Sequence, residues 1–264
     1  MEEDDIMKKY FAISDPHGFL DAVKKALRKA GFDMKNKDHI LIICGDLLDR
    51  GLQAIEMLNF VQKLVKQDRL IYIRGNHEDL YLDCLEEMKK FSEYESYPLI
   101  NPIHHHNGTY STCQQLAIRQ EEFKSLILNK TVNYFELGNY IFVHGWIPVI
   151  VKDKLPSHYA HDREFEFNPN WKNASEEDWD AARWINGIKA AREELFEDGK
   201  TIVCGHWHTG YGHYVYHSIG ESQYDCCDIY RDEGIIALDA CTAYSNKVNV
   251  LVIEEKENGV YEEC

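Results

Sequence analysis

Three times in its first eighty residues the chain repeats one pattern: a short apolar run, a polar turn containing glycine, and an amphipathic stretch. Residues 9–14 read as a first strand and lead into Asp15-Pro16-His17-Gly18. Pro16 fixes that turn and Gly18 permits an unusual backbone, so Asp15 and His17 can point the same way. Phe19, Leu20, Val23, Leu27 and Ala30 then recur at helical spacing, with Gly31 placed to end the helix. A second strand, 40–44, delivers Gly45-Asp46-Leu47-Leu48-Asp49-Arg50-Gly51, and a helix is predicted from about 52 to 67. The third strand, 70–73, ends in Arg74-Gly75-Asn76-His77-Glu78. Strand, turn and helix repeated in this order imply a parallel sheet with helical crossovers. Ligands bind such sheets at the carboxyl ends of the strands, which is where each polar turn falls.

The rest of the chain is less regular. Helical stretches are predicted around 79–91 and 113–129, flanking a segment, 97–110, that holds two prolines and His104-His105-His106. Three consecutive imidazoles do not converge easily on one ion, so this segment reads as a solvated loop within a helical cap. A strand at 140–143 leads into His144-Gly145-Trp146. Residues 151–180 read as a long surface excursion, followed by a helix around 176–197 carrying Trp179, Arg183, Trp184 and Ile188. The strand 201–204 delivers Gly205-His206-Trp207-His208, and 235–239 and 248–253 read as closing strands. With no Pro/Ser-rich linker and no internal repeat, one domain is expected over 1–264, with cap segments at about 79–135 and 151–197.

Composition narrows the partners. No apolar run approaches ~18 residues, so no membrane span is expected. The acidic start, Met1-Glu2-Glu3-Asp4-Asp5, lacks the build of a signal peptide, and the expected location is cytoplasmic. A formal charge of −16 argues against a general nucleic-acid surface. It still allows a phosphorylated substrate, since metals and a few arginines reverse the local field. The eight cysteines include no C-x-x-C pair and are expected to be free thiols.

Five strand ends present side chains able to bind metal: Asp15 with His17, Asp46, Asn76 with His77, His144, and His206 with His208. A histidine after a strand is more often a hydrogen-bonded structural residue, and Asp49 beside Arg50 suits a solvated surface pair. That explanation must hold separately at every strand end, whereas one metal cluster accounts for all five. Mixed carboxylate, imidazole and amide donors suit Mn, Fe, Zn, Co or Ni better than calcium. Arg50 suits a phosphate oxygen. No Walker A loop or G-x-S-x-G elbow is present, which leaves hydrolysis by metal-activated water.

Taken together, D-P-H-G, G-D-L-L-D-R-G, R-G-N-H-E, V-H-G and G-H-W-H resemble, in order and spacing, the motifs of calcineurin-like metallophosphoesterases. The G-D-x-x-D-R-G and G-N-H-E forms look most like the phosphoprotein phosphatase branch, which includes bacterial and phage serine/threonine phosphatases and symmetrical dinucleoside tetraphosphatases. The motifs run from Asp15 to His208, about three-quarters of the chain. The resemblance implies an α/β/β/α sandwich of two mixed sheets flanked by helices. It implies two divalent metal ions, with manganese the first choice. Asp15 and His17 would bind the first, Asp46 would bridge both, and Asn76, His144 and His206 would bind the second. His208 matches the last histidine of the wider superfamily's G-H-x-H and would complete the first. His77 would be the general acid, held by Asp49, and Arg50 would grip the phosphate. Arg183 is the candidate for a second phosphate-binding arginine, against a solvated helix position. Asp239 is a candidate partner for a ligand histidine, or a cap.

The expected activity is hydrolysis of phosphate monoesters, including phosphoserine or phosphothreonine in proteins. The alternative is a hydrolase of dinucleoside polyphosphates, in which Tyr94, Tyr97, Tyr110, Tyr159, Trp171 or Trp179 could stack on adenine. A metallophosphoesterase fold kept only as a binding scaffold would be expected to have lost ligands or the acid, and this sequence keeps both. The sequence leaves the oligomeric state open.

Overall fold

A computed structural model describes residues 7–92, 100–152, 164–256 and 259–264. The three repeats form β1 (Lys9–Ile13), β2 (His39–Cys44) and β3 (Leu70–Ile73), joined by α1 (Leu20–Lys29) and α2 (Ala54–Val65). They pair in parallel, Tyr10 beside Ile40 and Ile42 beside Ile71, as crossover connections require. The short strand β4 (Thr131–Val132) extends this sheet beyond β3. Beyond β1 lie β12 (Leu251–Glu255) and β13 (Tyr261–Glu263), both antiparallel to their neighbours.

A second sheet centres on β9 (Thr201–Cys204), parallel to β6 (Tyr140–Phe142) on one side and β11 (Ile235–Ala237) on the other. Antiparallel β5 (Phe135–Leu137) and β10 (Tyr230–Asp232) close its edges. A small hairpin of β7 (Ile150–Val151) and β8 (Phe165–Glu166) stands apart.

Alternation along the strands sets the layers. Phe11, Ile13, Leu41 and Ile43 face one way and pack under α1, α2, α3 (Asn76–Ser92), α5 (Thr109–Leu116) and α6 (Gln120–Lys130). Their neighbours Tyr10, Ala12, Ile40 and Ile42 face the other way and meet Tyr140, Phe142, Val203 and Ile236 of the second sheet. On the second sheet's outer side, Ile141, Val143, Ile202 and Cys204 lie under α7 (Glu176–Ala182) and α8 (Gly187–Arg192). A period of two on doubly covered strands gives two mixed sheets face to face, with helices outside both.

Four sequence expectations change. The stretch around 113–129 is two helices, because Ala117 takes a left-handed φ of 43° and breaks it. The helix around 176–197 is also two, α7 and α8, with Asn186 capping the second by accepting the Lys189 N–H at 3.1 Å. His104 is not in a solvated loop. It lies in α4 (Pro102–His106), buried, with Nε2 3.6 Å from Glu87, while His105 and His106 face solvent.

The excursion at 151–180 is not all surface. Trp171 is fully buried beside Trp179 and Tyr134, whose ring stacks on Trp179 at 5.6 Å. Removing a side chain that large from a packed core costs about 3–5 kcal/mol. Tyr94, Tyr97 and Tyr159 lie outside the described residues. The cysteines are free, with Cys44, Cys84, Cys113, Cys204 and Cys227 buried.

Candidate active site

The carboxyl ends of β1, β2 and β3 in one sheet and of β6 and β9 in the other meet at one place. Asp15 and His17 leave β1, Asp46 leaves β2, Asn76 and His77 open α3 after β3, His144 follows β6 and His206 follows β9. Loop-to-loop hydrogen bonds lock the turns together. The His17 N–H donates to the Asp46 carbonyl at 3.0 Å, and the Gly205 N–H to the His144 carbonyl at 2.8 Å. The Asp15 carboxylate accepts the His206 N–H at 3.0 Å, joining the two sheets.

Six of these loop residues adopt left-handed φ values that side chains disfavour: Asp15 (49°), His17 (45°), Asp46 (56°), Asp49 (75°), Arg50 (62°) and His206 (64°). Glycines make the close approach possible. A Cβ on Gly45, itself at φ 81°, would fall on His144 Nδ1 and within 2.8 Å of the Gly75 Cα.

Asp46 lies at the centre and is buried. Its Oδ1 is 3.3 Å from His144 Nε2 and accepts the His77 N–H at 3.0 Å; its Oδ2 is 3.8 Å from Nε2 of both His17 and His77. The ligand-type atoms of His17, Asp46 and His77 lie within 4.8 Å of one another, as do those of Asp46, His144 and His206. The two groups share Asp46.

The ring nitrogens show what the cluster can hold. His17 Nδ1 is 3.0 Å from the Leu48 carbonyl, and His144 Nδ1 is 2.8 Å from the Cys44 carbonyl. Each Nδ1–H is therefore committed to a backbone oxygen, which turns Nε2 inward as an acceptor. On His144 that Nε2 faces two oxygens, Asn76 Oδ1 at 2.8 Å and Asp46 Oδ1. Opposed lone pairs of this kind require a proton or a cation between them. On His17 the inward Nε2 meets the Arg50 guanidinium at 2.9 Å, and Arg50 also reaches His77 Nε2 at 3.2 Å. A positive group already fits among these nitrogens.

Electrostatics agrees. Burial, then the neighbouring imidazoles, push His17 and His206 well below the ordinary imidazole range, so both rings are neutral and able to ligate. Burial pushes Asp46 well above the ordinary carboxylate range; Asp15 and Glu78 add to this and His77 opposes it. Neutral imidazoles beside carboxylates short of positive charge form a donor set for divalent cations.

His77 is set apart. Its Nδ1 is 2.6 Å from Asp49 Oδ2, which also accepts the Thr109 hydroxyl at 2.7 Å. Burial alone would lower its pKa, but Asp46 and the Asp49 hydrogen bond outweigh it and raise the pKa above the ordinary value. The arrangement favours a protonated ring with Nε2 aimed into the site.

Other candidates sit at the margin or elsewhere. His208 heads α9 (Thr209–His217), about a third exposed, with Nε2 3.8 Å from Asp239 Oδ2. Asp239 is buried and its Oδ1 accepts the Cys241 N–H, so it both caps a turn and faces His208. Arg183 is neither solvated nor among the clustered side chains. Its buried guanidinium binds Asp79 (2.9 Å), Asn133 (2.6 Å) and Glu176 (2.7 Å).

Two residues without a role in the sequence reading matter here. The Glu78 carboxylate accepts the N–H groups of Asp46, Leu47 and Gly75 and the Tyr72 hydroxyl, at 2.6–3.0 Å. It therefore holds the strained turn that presents Asp46. The clue was local, a Glu three residues after Gly75 that reaches back to that N–H as in a capping box. Thr109 had no such clue, because its partner Asp49 is 60 residues away. Thr109→Val should leave Asp49 Oδ2 held by His77 alone and lower kcat by roughly tenfold, the scale of one hydrogen bond to a charged group. An unchanged kcat with unchanged thermal stability would make Thr109 incidental.

The calcineurin-like phosphoesterase family model matches residues 8–210. Shewanella-like protein phosphatase 1 of Plasmodium berghei is 29% identical over 227 residues, covering 75% of this chain and 60% of that protein. The asymmetrical bis(5'-nucleosyl)-tetraphosphatase PrpE of Bacillus velezensis is 35% identical over 74 residues, 26% of this chain and 30% of that protein. The same enzyme of Oceanobacillus iheyensis is 26% identical over 151 residues, 52% of this chain and 55% of that protein. The match thus spans less than two thirds of each of these relatives. Among solved structures, a mutant cold-active protein tyrosine phosphatase shares the fold, with a TM-score of 0.50 at 16% identity over 97% of this chain and 80% of that one. No helix among the described residues is long and apolar enough to cross a membrane.

Proposed function

The chain belongs to the calcineurin-like phosphoesterase family, and from that premise we propose that it is a dinuclear metal-dependent phosphatase of phosphate monoesters, acting on phosphoserine or phosphothreonine in proteins. The observation that carries this reading is the Asp46-centred cluster, in which neutral imidazoles and uncompensated carboxylates converge beside a His77–Asp49 pair. A match over 75% of the chain, to a curated relative named as a phosphatase, supports the same reading.

Asp15, His17, Asp46 and His208 would hold one metal, and Asp46, Asn76, His144 and His206 would hold the other, manganese being the first choice. Two divalent ions bound there would acidify water and neutralise charge on the phosphoryl oxygens. Arg50, at the mouth, would fork onto a phosphate oxygen and fix the ester for in-line displacement. His77, protonated and held through Nδ1 by Asp49, would give its Nε2 proton to the departing alkoxide oxygen. Glu78 and Thr109 would keep Asp46 and Asp49 in place.

A second reading, hydrolysis of dinucleoside polyphosphates, draws on the shorter matches to tetraphosphatases. The two are separated by assaying manganese-loaded protein on p-nitrophenyl phosphate, a phosphoserine peptide and diadenosine tetraphosphate. Turnover of the first two is expected. Turnover confined to the dinucleotide would replace the first reading by the second.

A further inference from the structure

Beside His206 lies a recess of about 520 Å³ with five aromatic side chains in its wall: Phe165, Trp184, Trp207, Tyr211 and Tyr216. Trp184 and Trp207 both lie against His206, with ring centroids 5.7 and 6.1 Å away, so two walls of the recess touch a candidate metal ligand. Resting on the phosphatase reading above, we propose that this recess is a specificity subsite that takes the aromatic side chain of a residue flanking the phosphorylated residue of a protein substrate.

Three observations carry the assignment. Trp184 is 45% exposed, so a large apolar ring stands open at the surface next to a candidate metal ligand. None of the cluster residues lines the recess. A ring inside it must therefore be joined to the phosphate through several bonds, as a neighbouring residue of a peptide is.

The third observation is the chemistry of the walls. Part of their polar surface is engaged within the protein: Asn186 Oδ1 accepts the Lys189 N–H at 3.1 Å, and the Lys189 ammonium pairs with Glu193 at 3.7 Å. A phenyl or indole ring would meet this largely apolar wall with at most one polar atom to satisfy, whereas a nucleobase would bring several. The wall rings meet edge to face, Trp207 on Tyr211 at 82° and Tyr211 on Tyr216 at 86°, which leaves faces and edges suited to one more ring. Arg192 lies over the ring of the wall residue Tyr216, 4.8 Å from its centroid.

The test uses manganese-loaded full-length protein and phosphoserine peptides with one Phe at either of the two positions on each side, against an all-alanine flank. The readout is the ratio of kcat/KM between the best Phe peptide and the alanine peptide. A common loss of metal or folded protein cancels in that ratio. The expected ratio is on the order of tenfold or more, the discrimination a hydrophobic pocket gives one group. It should fall to about one in Trp184→Ala, which empties the recess, and in Ala181→Trp, which fills it from the exposed rim. Equal turnover of all the peptides by the wild type would overturn the subsite and leave the phosphatase reading intact. No turnover of any peptide or of p-nitrophenyl phosphate would overturn the phosphatase reading, and the subsite with it. A flat peptide ratio together with a KM for diadenosine tetraphosphate that rises in both variants would give the recess to a nucleobase and overturn the peptide assignment.

Discussion

His77→Ala is expected to lower kcat on a phosphoserine peptide by about 10²–10⁴-fold, the usual contribution of a positioned general acid, with the metal content unchanged. Nδ1 is fixed by Asp49 at 2.6 Å, so Nε2, 3.2 Å from the Arg50 guanidinium, is the ring nitrogen that faces the site. The loss should be much smaller on p-nitrophenyl phosphate, because nitrophenolate departs without needing a proton. Elemental analysis tests the assignment directly. His77 Nε2 is 3.8 Å from Asp46 Oδ2, and metal lost from the variant would move His77 into the ligand set.

Asp49→Asn carries the pH consequence. Burial opposes the charged ring, while Asp46 and the Asp49 hydrogen bond favour it and prevail, so the acid form survives above the ordinary imidazole range. Neutralising Asp49 removes part of that support. The rate should then decline at a lower pH as alkali is added. An alkaline limb that stays in place would take the proton-donor role away from His77.

Asp46→Asn should abolish metal binding and activity together, with kcat/KM down by about three orders of magnitude, the several kcal/mol that a Lewis-acid centre supplies. Both candidate ligand groups share this carboxylate. The substitution also separates stability from function. Asp46 has a folded-state pKa well above its unfolded value, burial being the main cause. Its contribution to folding is therefore full only at pH below the unfolded value and is lost as the pH rises towards the folded one. Metal-free Asp46→Asn should accordingly melt higher than metal-free wild type, and the order should reverse when manganese is added. A lower melting temperature in both conditions would mean that Asp46 chiefly supports its own turn.

Much of this was legible in the residues. Strands β3 and β9 fall at the predicted positions, and β1, β2 and β6 come within a residue. Apolar runs bounded by polar turns leave little freedom in where a buried strand starts and stops. The clustered side chains were legible because sheet topology brings parallel strand ends together. What escaped was decided locally or at long range. Asn101-Pro102 is a cap followed by a first-turn proline, Asn101 Oδ1 accepting the Ile103 N–H at 3.1 Å, yet three histidines drew attention away from that helix start. Asn186-Gly187 likewise marked the break between α7 and α8. The break at Ala117 carries no such mark, since an exposed alanine at φ 43° has no glycine, proline or capping side chain to announce it. Arg183 reads as a free helical cation because its partners Asp79 and Asn133 lie 104 and 50 residues away.

The placement of the cluster has a mechanical consequence. Asp46 and Asn76 come from one β-layer and His144 and His206 from the other, and the cross-layer bonds among them are few: His144 to the Cys44 carbonyl, His144 to Asn76, and the His206 N–H to Asp15. Ions gripped by donors from both layers would act as rivets through the sandwich. The catalytic centre would then double as the clasp between the halves of the chain, and a chelator would loosen the architecture as well as stop the chemistry.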